Sequence, residues 1–112
     1  MTTRKLILIA SGPSQGAVGA LELAIAMRGQ GQEVDVCLVE DAVLCARRGD
    51  ETPAGASVAG VLRAGAALHY LEDDLLARGF GREDVRAEAQ PLDYRNLVEQ
   101  MLEDERVVLG AL

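Results

Sequence analysis

An unbroken apolar run, Leu6-Ile7-Leu8-Ile9-Ala10, lies near the start of the chain and stops at Ser11-Gly12-Pro13. Strands covered on both faces read this way, because neither face is left to water, and such strands belong to parallel sheets. From Gly16 to Met27 the sequence is apolar almost all round, broken mainly by Glu22. That pattern predicts a helix buried between a sheet and a partner, stopped by Gly29 and Gly31. Glu33 to Val39 then places Val34, Val36 and Leu38 on one face and predicts a second strand. Strand, helix and strand together form a βαβ unit with a right-handed crossover.

In the middle of the chain, Asp41 to Arg48 predicts a short helix and Gly49 to Gly55, with Pro53, an exposed loop. Ser57 to Ala64 predicts a helix with Val58, Val61 and Leu62 inward. Ala66 to Tyr70 reads as a short strand, entering a helix that carries Leu71, Leu75 and Leu76 and ends at Gly79. Val85 to Ala89 is assigned as a fourth strand. Asp93 then caps a helix whose Tyr94, Leu97, Val98, Met101 and Leu102 form one apolar stripe. Arg106 to Leu109 supplies the last strand. The order β-α-β-α-α-β-α-β-α-β describes one α/β domain over residues 1–112, a three-layer parallel sheet flanked by helices.

Composition narrows this picture. At 112 residues the chain is long enough for a core without staples. Apolar residues make up 49% and aromatics only 3%, so that core is built from Leu, Val, Ile and Ala. The apolar first helix and the Ala/Val/Leu-rich middle offer more hydrophobic surface than one small domain covers, which points to an oligomer. The formal charge of −7 repels a phosphate backbone, and the paired Arg47-Arg48 is followed at once by Asp50 and Glu51. Direct nucleic-acid binding is not expected. No apolar run approaches the roughly 20 residues of a bilayer span. The run Leu6 to Ala10 is also too short for an export signal, so neither membrane insertion nor export is expected. Cys37 and Cys45 form neither a disulfide framework nor a metal-ligand spacing. The expectation is a cytoplasmic protein with no metal and no cofactor.

Ligands of parallel sheets sit beyond the carboxyl ends of the strands. Three segments meet at that rim: Ser11 to Gly16, Glu40 to Cys45, and Tyr70 to Asp74. The turn holding Ser11, Gly12 and Gly16 reads as a tight turn or as an anion-holding helix start. It has neither the lysine of a nucleotide P-loop nor the G-x-G-x-x-G of a dinucleotide site. Glu72-Asp73-Asp74 cannot form one metal cage, since consecutive helical residues point about 100° apart. A helix macrodipole accounts for acids in a first turn. His69, the single histidine, stands where a general base or a packed histidine would both fit. Cys37 reads as a small buried hydrophobe. Cys45 stands close to Arg47 and Arg48, whose charge would lower a thiol pKa if the thiol is exposed; packed on its helix it is inert.

Four segments in series carry a resemblance. Ile9-Ala10-Ser11-Gly12-Pro13-Ser14-Gln15-Gly16, with the Ala-rich helix and Gly31-Gln32-Glu33-Val34 after it, resembles the start of DsrE/TusD-type proteins. Val39-Glu40-Asp41-Ala42-Val43 is similar to their "DGV" segment, with Ala42 in place of the glycine. Tyr70 to Gly79 resembles the "L-x-E-D-L-x-A-R-G" segment of the DsrH/TusB branch, and Pro91-Leu92-Asp93-Tyr94 its "IDY…FV" helix start. Resemblance to this DsrE/DsrF/DsrH sulfur-relay family implies a small cytoplasmic protein in homo- or hetero-oligomers with DsrE-like subunits. It further implies persulfide transfer between cysteines, for tRNA thiolation or sulfur oxidation, with a sulfur-carrier protein as a further partner. In the active members the carrier cysteine ends the third strand, shortly before an "R-G" pair. The matching stretch before Arg78-Gly79 holds Leu71 and Glu72, neither of which can carry sulfur. The DsrH/TusB branch also lacks a cysteine there. The resemblance therefore implies an accessory subunit rather than an independent enzyme. Two other functions stay open: an anion- or small-molecule-binding oligomer using the rim at Ser11, Gly12, Gly16, Asp41, His69 and Leu71, and a sulfurtransferase using Cys45.

Overall fold

The computed structural model describes residues 5–12, 15–102 and 106–111. Five parallel strands form one sheet: β1 (Lys5–Ala10), β2 (Val34–Leu38), β3 (Ala67–Leu71), β4 (Gln90–Leu92) and β5 (Arg106–Ala111). Their order across the sheet is β4-β3-β2-β1-β5. The helices are α1 (Gln15–Gly29), α2 (Pro53–Arg63), α3 (Glu72–Ala77) and α4 (Tyr94–Leu102), with short 3-10 helices at Glu40–Ala46 and Arg82–Asp84. The α/β fold and its element order agree with the hydrophobic pattern. β1 to β4 step outward one place at a time, and the last connection returns across the sheet to set β5 on the far side of β1.

β2 shows why the sheet needs three layers. All five of its residues are buried, and alternation sends them to opposite faces. Val34, Val36 and Leu38 meet Leu21 and Ala24 of α1, Val58 and Val61 of α2, Leu68 and Tyr70 of β3, and Leu75 of α3 in one large cluster. Cys37 faces the other way, into a smaller cluster with Leu71, Leu92 and Leu97 of α4, flanked by Ile9 and Val39. Right-handed crossovers explain the division. The outward steps put α1 and α2 together on the first face, and the returning step puts α4 on the second.

α1 and α2 meet at a small residue. A Cβ built on Gly60 would stand 2.9 Å from Ile25 Cδ1, so glycine lets the helices approach. Ser57, 6% exposed, donates to the Glu22 carboxylate across the same contact at 3.1 Å. Ala17, Ala20, Leu21 and Ala24 are buried, while Glu22 and Leu23 face outward.

Three further assignments change. The segment 49–55 is not all loop, since α2 begins at Pro53. Thr52 accepts from the Gly55 N–H at 3.1 Å, and Pro53 fills the first position, where a missing N–H costs nothing. The fourth strand is Gln90–Leu92, not 85–89. Val85 is buried because it forms an isolated antiparallel bridge to Arg47, which turns the chain before β4 starts. Asp93 does cap α4, accepting from the Asn96 N–H at 2.7 Å. Of the α4 stripe, however, only Leu97 is buried, whereas Tyr94 is 67% and Leu102 77% exposed. No described helix is long and apolar enough to cross a membrane.

Adjacent leucines on α3 test this packing. Leu75 is fully buried and Leu76 is 56% exposed. Leu75→Ala is expected to lower unfolding stability by about 2–5 kcal/mol through transfer and cavity costs. Leu76→Ala should stay within about 0.5 kcal/mol. Urea denaturation of the two variants measures both.

Candidate functional site

The three rim segments do converge. β1 ends at Ala10, whose carbonyl accepts from Val39 N–H at 2.9 Å, and the Ser11 carbonyl accepts from Ala42 N–H at 3.2 Å. The turn after β1 is thus tied to the start of the 3-10 helix that follows β2. Ser11 and Gly12 are half-buried, and Gly16 lies in the first turn of α1. Pro13 and Ser14, the middle of the candidate anion-holding turn, lie outside the described residues.

The 3-10 helix is gripped from its other side by α3. Glu40 N–H donates to Asp74 Oδ2 at 2.6 Å. Arg78 Nε donates to Asp41 Oδ1 at 2.8 Å, and Arg78 Nη1 to the Asp74 carbonyl at 2.9 Å. Asp41 is therefore an anchor for this helix. Glu40 has φ +51°, the only described non-glycine residue in the left-handed region. That conformation brings Cβ close to a carbonyl oxygen and costs about 1–2 kcal/mol. The turn is sharp because β2 must reverse at once into the 3-10 helix, and Asp74 holds the N–H that this turn exposes.

The acidic triplet divides its work, as the roughly 100° between neighbours requires. Asp74 holds Glu40. Glu72 pairs with Arg82 through both guanidinium branches, one contact at 3.0 Å to Oε1 and a shorter one to Oε2. The hydrogen bond from Arg82 holds the Glu72 carboxyl below its ordinary range. Tyr70, 2% exposed, has its hydroxyl pushed up, first by burial and then by the Glu72 charge. Among the described residues no group of three or more His, Cys, Asp or Glu is placed to share a metal ion.

The remaining candidates fall into two places. Leu71 ends β3 and is buried at 5% exposure in the second-face cluster, so it packs against α4 rather than lining an opening. His69 stands in the middle of β3, half-buried, in register with Cys37 of β2 and Gln90 of β4 on the second face. It is two residues short of the rim. Cys45 belongs to the first-face core at 1% exposure. Burial pushes its thiol from an ordinary value of about 9 up to about 11; Asp50 adds to the rise and Arg47 opposes it. The arginine effect expected from sequence is therefore present but outweighed. Arg47 is itself engaged, with Nε on the Leu44 carbonyl at 3.0 Å and its guanidinium 4.7 Å from the Phe80 ring centre. Neither cysteine forms a disulfide among the described residues, and both are buried. The described rim thus presents carboxylates, guanidiniums and backbone groups, with no thiol at its surface.

The latch of Glu40, Asp41, Asp74 and Arg78 escaped the sequence reading. Its signals were the acid at Asp74 and the base four residues on, which suggest an i,i+4 pair within α3. Nothing local says that both reach across to the segment after β2.

A family model described as DsrH-like protein matches residues 17–107. Among solved structures, the ychN protein from E. coli superposes with TM-score 0.83 at 19% identity, covering 97% of this chain and 99% of its own. A conserved protein of unknown function from Bacteroides thetaiotaomicron gives TM-score 0.74 at 14% identity, covering 96% of this chain and 94% of its own. One of unknown function from Methanobacterium thermoautotrophicum gives 0.75 at 13%, covering 96% and 98%. These likenesses show the fold. No curated protein matches at significant sequence similarity.

Two outcomes follow from the rim. Glu40→Gly removes the left-handed penalty while keeping the N–H that Asp74 holds, and should raise stability by about 1 kcal/mol after the added unfolded-state entropy. Equilibrium denaturation reads this shift. Cys45 is protonated in the fold at a pH where the unfolded chain has lost the proton. Stability is therefore retained below about pH 9 and falls as pH rises towards about 11. Denaturation midpoints across that window should fall less steeply in Cys45→Ala than in the wild type.

Proposed function

The chain belongs to the DsrH-like family, and from that premise we propose that it serves a sulfur relay as an accessory subunit that does not itself carry sulfur. The observation that carries this reading is the end of β3. There the DsrE-type carrier position implied by the resemblance is filled by Leu71, packed in the core, and by Glu72, clamped by Arg82. Persulfide transfer needs a thiolate that can reach a donor sulfur, and its rate follows thiolate fraction and access. Cys37 and Cys45 are each 1% exposed, and burial pushes the Cys45 thiol up to about 11, further from a thiolate than an ordinary cysteine. The same burial argues against the sulfurtransferase reading of Cys45.

In this role the chain supplies shape and surface to a DsrE-like partner that holds the reactive cysteine, in a cytoplasmic homo- or hetero-oligomer that hands sulfur to a carrier protein. The exposed Tyr94, Val98, Met101 and Leu102 of α4, and Leu23 of α1, support assembly, because they leave apolar area in water. Cysteines outside any disulfide among the described residues suit a reducing compartment.

Mixing the chain with a cysteine-bearing DsrE-like protein and a persulfide donor tests the reading, by light scattering and intact mass. The two proteins should co-elute, with about 32 Da of added sulfur on the partner and none on this chain. A sulfur adduct on Cys45 would establish the sulfurtransferase reading instead. No association with any DsrE-like protein would remove the accessory role.

A further inference from the structure

α4 carries an apolar stripe that the fold itself does not cover. Among the described residues six large hydrophobic side chains are exposed, and four of them, Tyr94, Val98, Met101 and Leu102, lie on this nine-residue helix. At about 100° per residue, those four fall inside one sector about 100° wide. Leu97, the residue that α4 buries, borders the sector on one side. Arg95 and Glu99, both exposed, border it on the other. A single exposed leucine is ordinary on a small protein, whereas four large side chains in one continuous stripe mark a contact surface.

The spacing of the stripe and the charges beside it say what fits there. Val98 stands midway between Tyr94 and Leu102, one turn from each. An antiparallel copy of the same helix, with a two-fold axis near Val98, sets Tyr94 of each copy against Leu102 of the other and closes Val98 on itself. That axis runs perpendicular to the plane of the two helices, so each flank stays on its own side and like flanks meet. Arg95 of one copy then lies about 3 Å along the helix axis from Glu99 of the other, and the symmetry repeats the contact. A parallel pairing would set the charged flank against the Leu97 flank and give neither charge a cross-helix partner. Within one chain, Arg95 and Glu99 are joined only by a 3.5 Å contact one turn apart, with both side chains largely in solvent. Exposed pairs of this kind contribute little, so sharing them across a seam costs little.

We propose that the outer face of α4 pairs with the same face of a second copy of this chain, antiparallel about a two-fold axis near Val98. A nine-residue helix is about 13 Å long, so the seam falls short of the roughly 800 Å² per partner of a standard interface. The dimer is therefore a weak one, forming at micromolar concentrations and above. The pairing gives assembly a defined seam. It needs neither a DsrE-like protein nor a persulfide, so it stands or falls apart from the sulfur-relay reading.

Sedimentation equilibrium on the intact chain alone tests it, over about 1 to 500 μM. A monomer–dimer equilibrium is expected. Val98→Glu, which sets two like charges at the axis, should weaken dimerisation by about tenfold or more, while Leu76→Glu, at an exposed leucine of α3, should leave it unchanged. Arg95→Glu and Glu99→Arg, both at exposed positions, should each weaken it as well, because each leaves one sign of charge on the flank. Mixed in equal amounts, these two variants should associate again, which an effect confined to one helix would not produce. A chain that stays monomeric throughout, a dimer indifferent to Val98→Glu, or charge variants that stay apart when mixed would overturn the proposal. Binding of an added DsrE-like protein through this stripe, with no self-association, would overturn the second-copy assignment and give the surface to that partner.

Discussion

Burial of β2 on both sides is the constraint on which the molecule depends. All five of its residues are buried, and four of them are apolar, so each face must be roofed. On the first face α1, α2 and α3 supply the roof together. On the second, Cys37 is covered through Leu71, Leu92 and Leu97, drawn from β3, β4 and α4. Hydrophobic burial scales with area removed from water, at about 25 cal/mol per Å². The large first-face cluster therefore dominates folding, while the second face is closed by a few side chains and one short helix.

The rim inherits its character from that arrangement. β2 leaves the sheet between two covered faces and turns at once, at Glu40, into a 3-10 helix whose Ala42, Val43, Cys45 and Ala46 are buried. A thiol on such a helix becomes part of the core, which is why Cys45 titrates as a buried group and not as one governed by adjacent arginines. Leu71 makes the same point on the opposite face. At the end of β3 the fold is likewise closed over by packing, and the position serves stability.

Most of the fold was legible because alternation and helical periodicity are local. Val34, Val36 and Leu38 announced β2, and Asp93 announced the start of α4. What failed depended on distant partners or on a local signal passed over. Thr52-Pro53 is a helix start set inside a segment whose glycines and proline resemble a loop. Val85 and Ala89 are buried, as strand residues would be, but the pairing that buries Val85 is with Arg47, far away in sequence. The α4 stripe has correct spacing and faces largely outward, since periodicity says that residues share a face and not what lies against it. At the candidate site the sequence located the three converging segments. It did not disclose that Asp74 and Arg78 reach across to Glu40 and Asp41, or that burial outweighs Arg47 at Cys45.

β4 has a further consequence. It is three residues long, stands outermost beside β3, and has a proline at its centre. With no donor at Pro91, it offers an arriving strand only a fragment of a hydrogen-bonding ladder, and short, proline-bearing margins are a means by which sheets resist unwanted growth. On that flank the sheet is a dead end for cross-chain β pairing. Assemblies of this protein must be built from its helices and loops there, and a destabilised molecule is denied one ready template for fibrillar stacking.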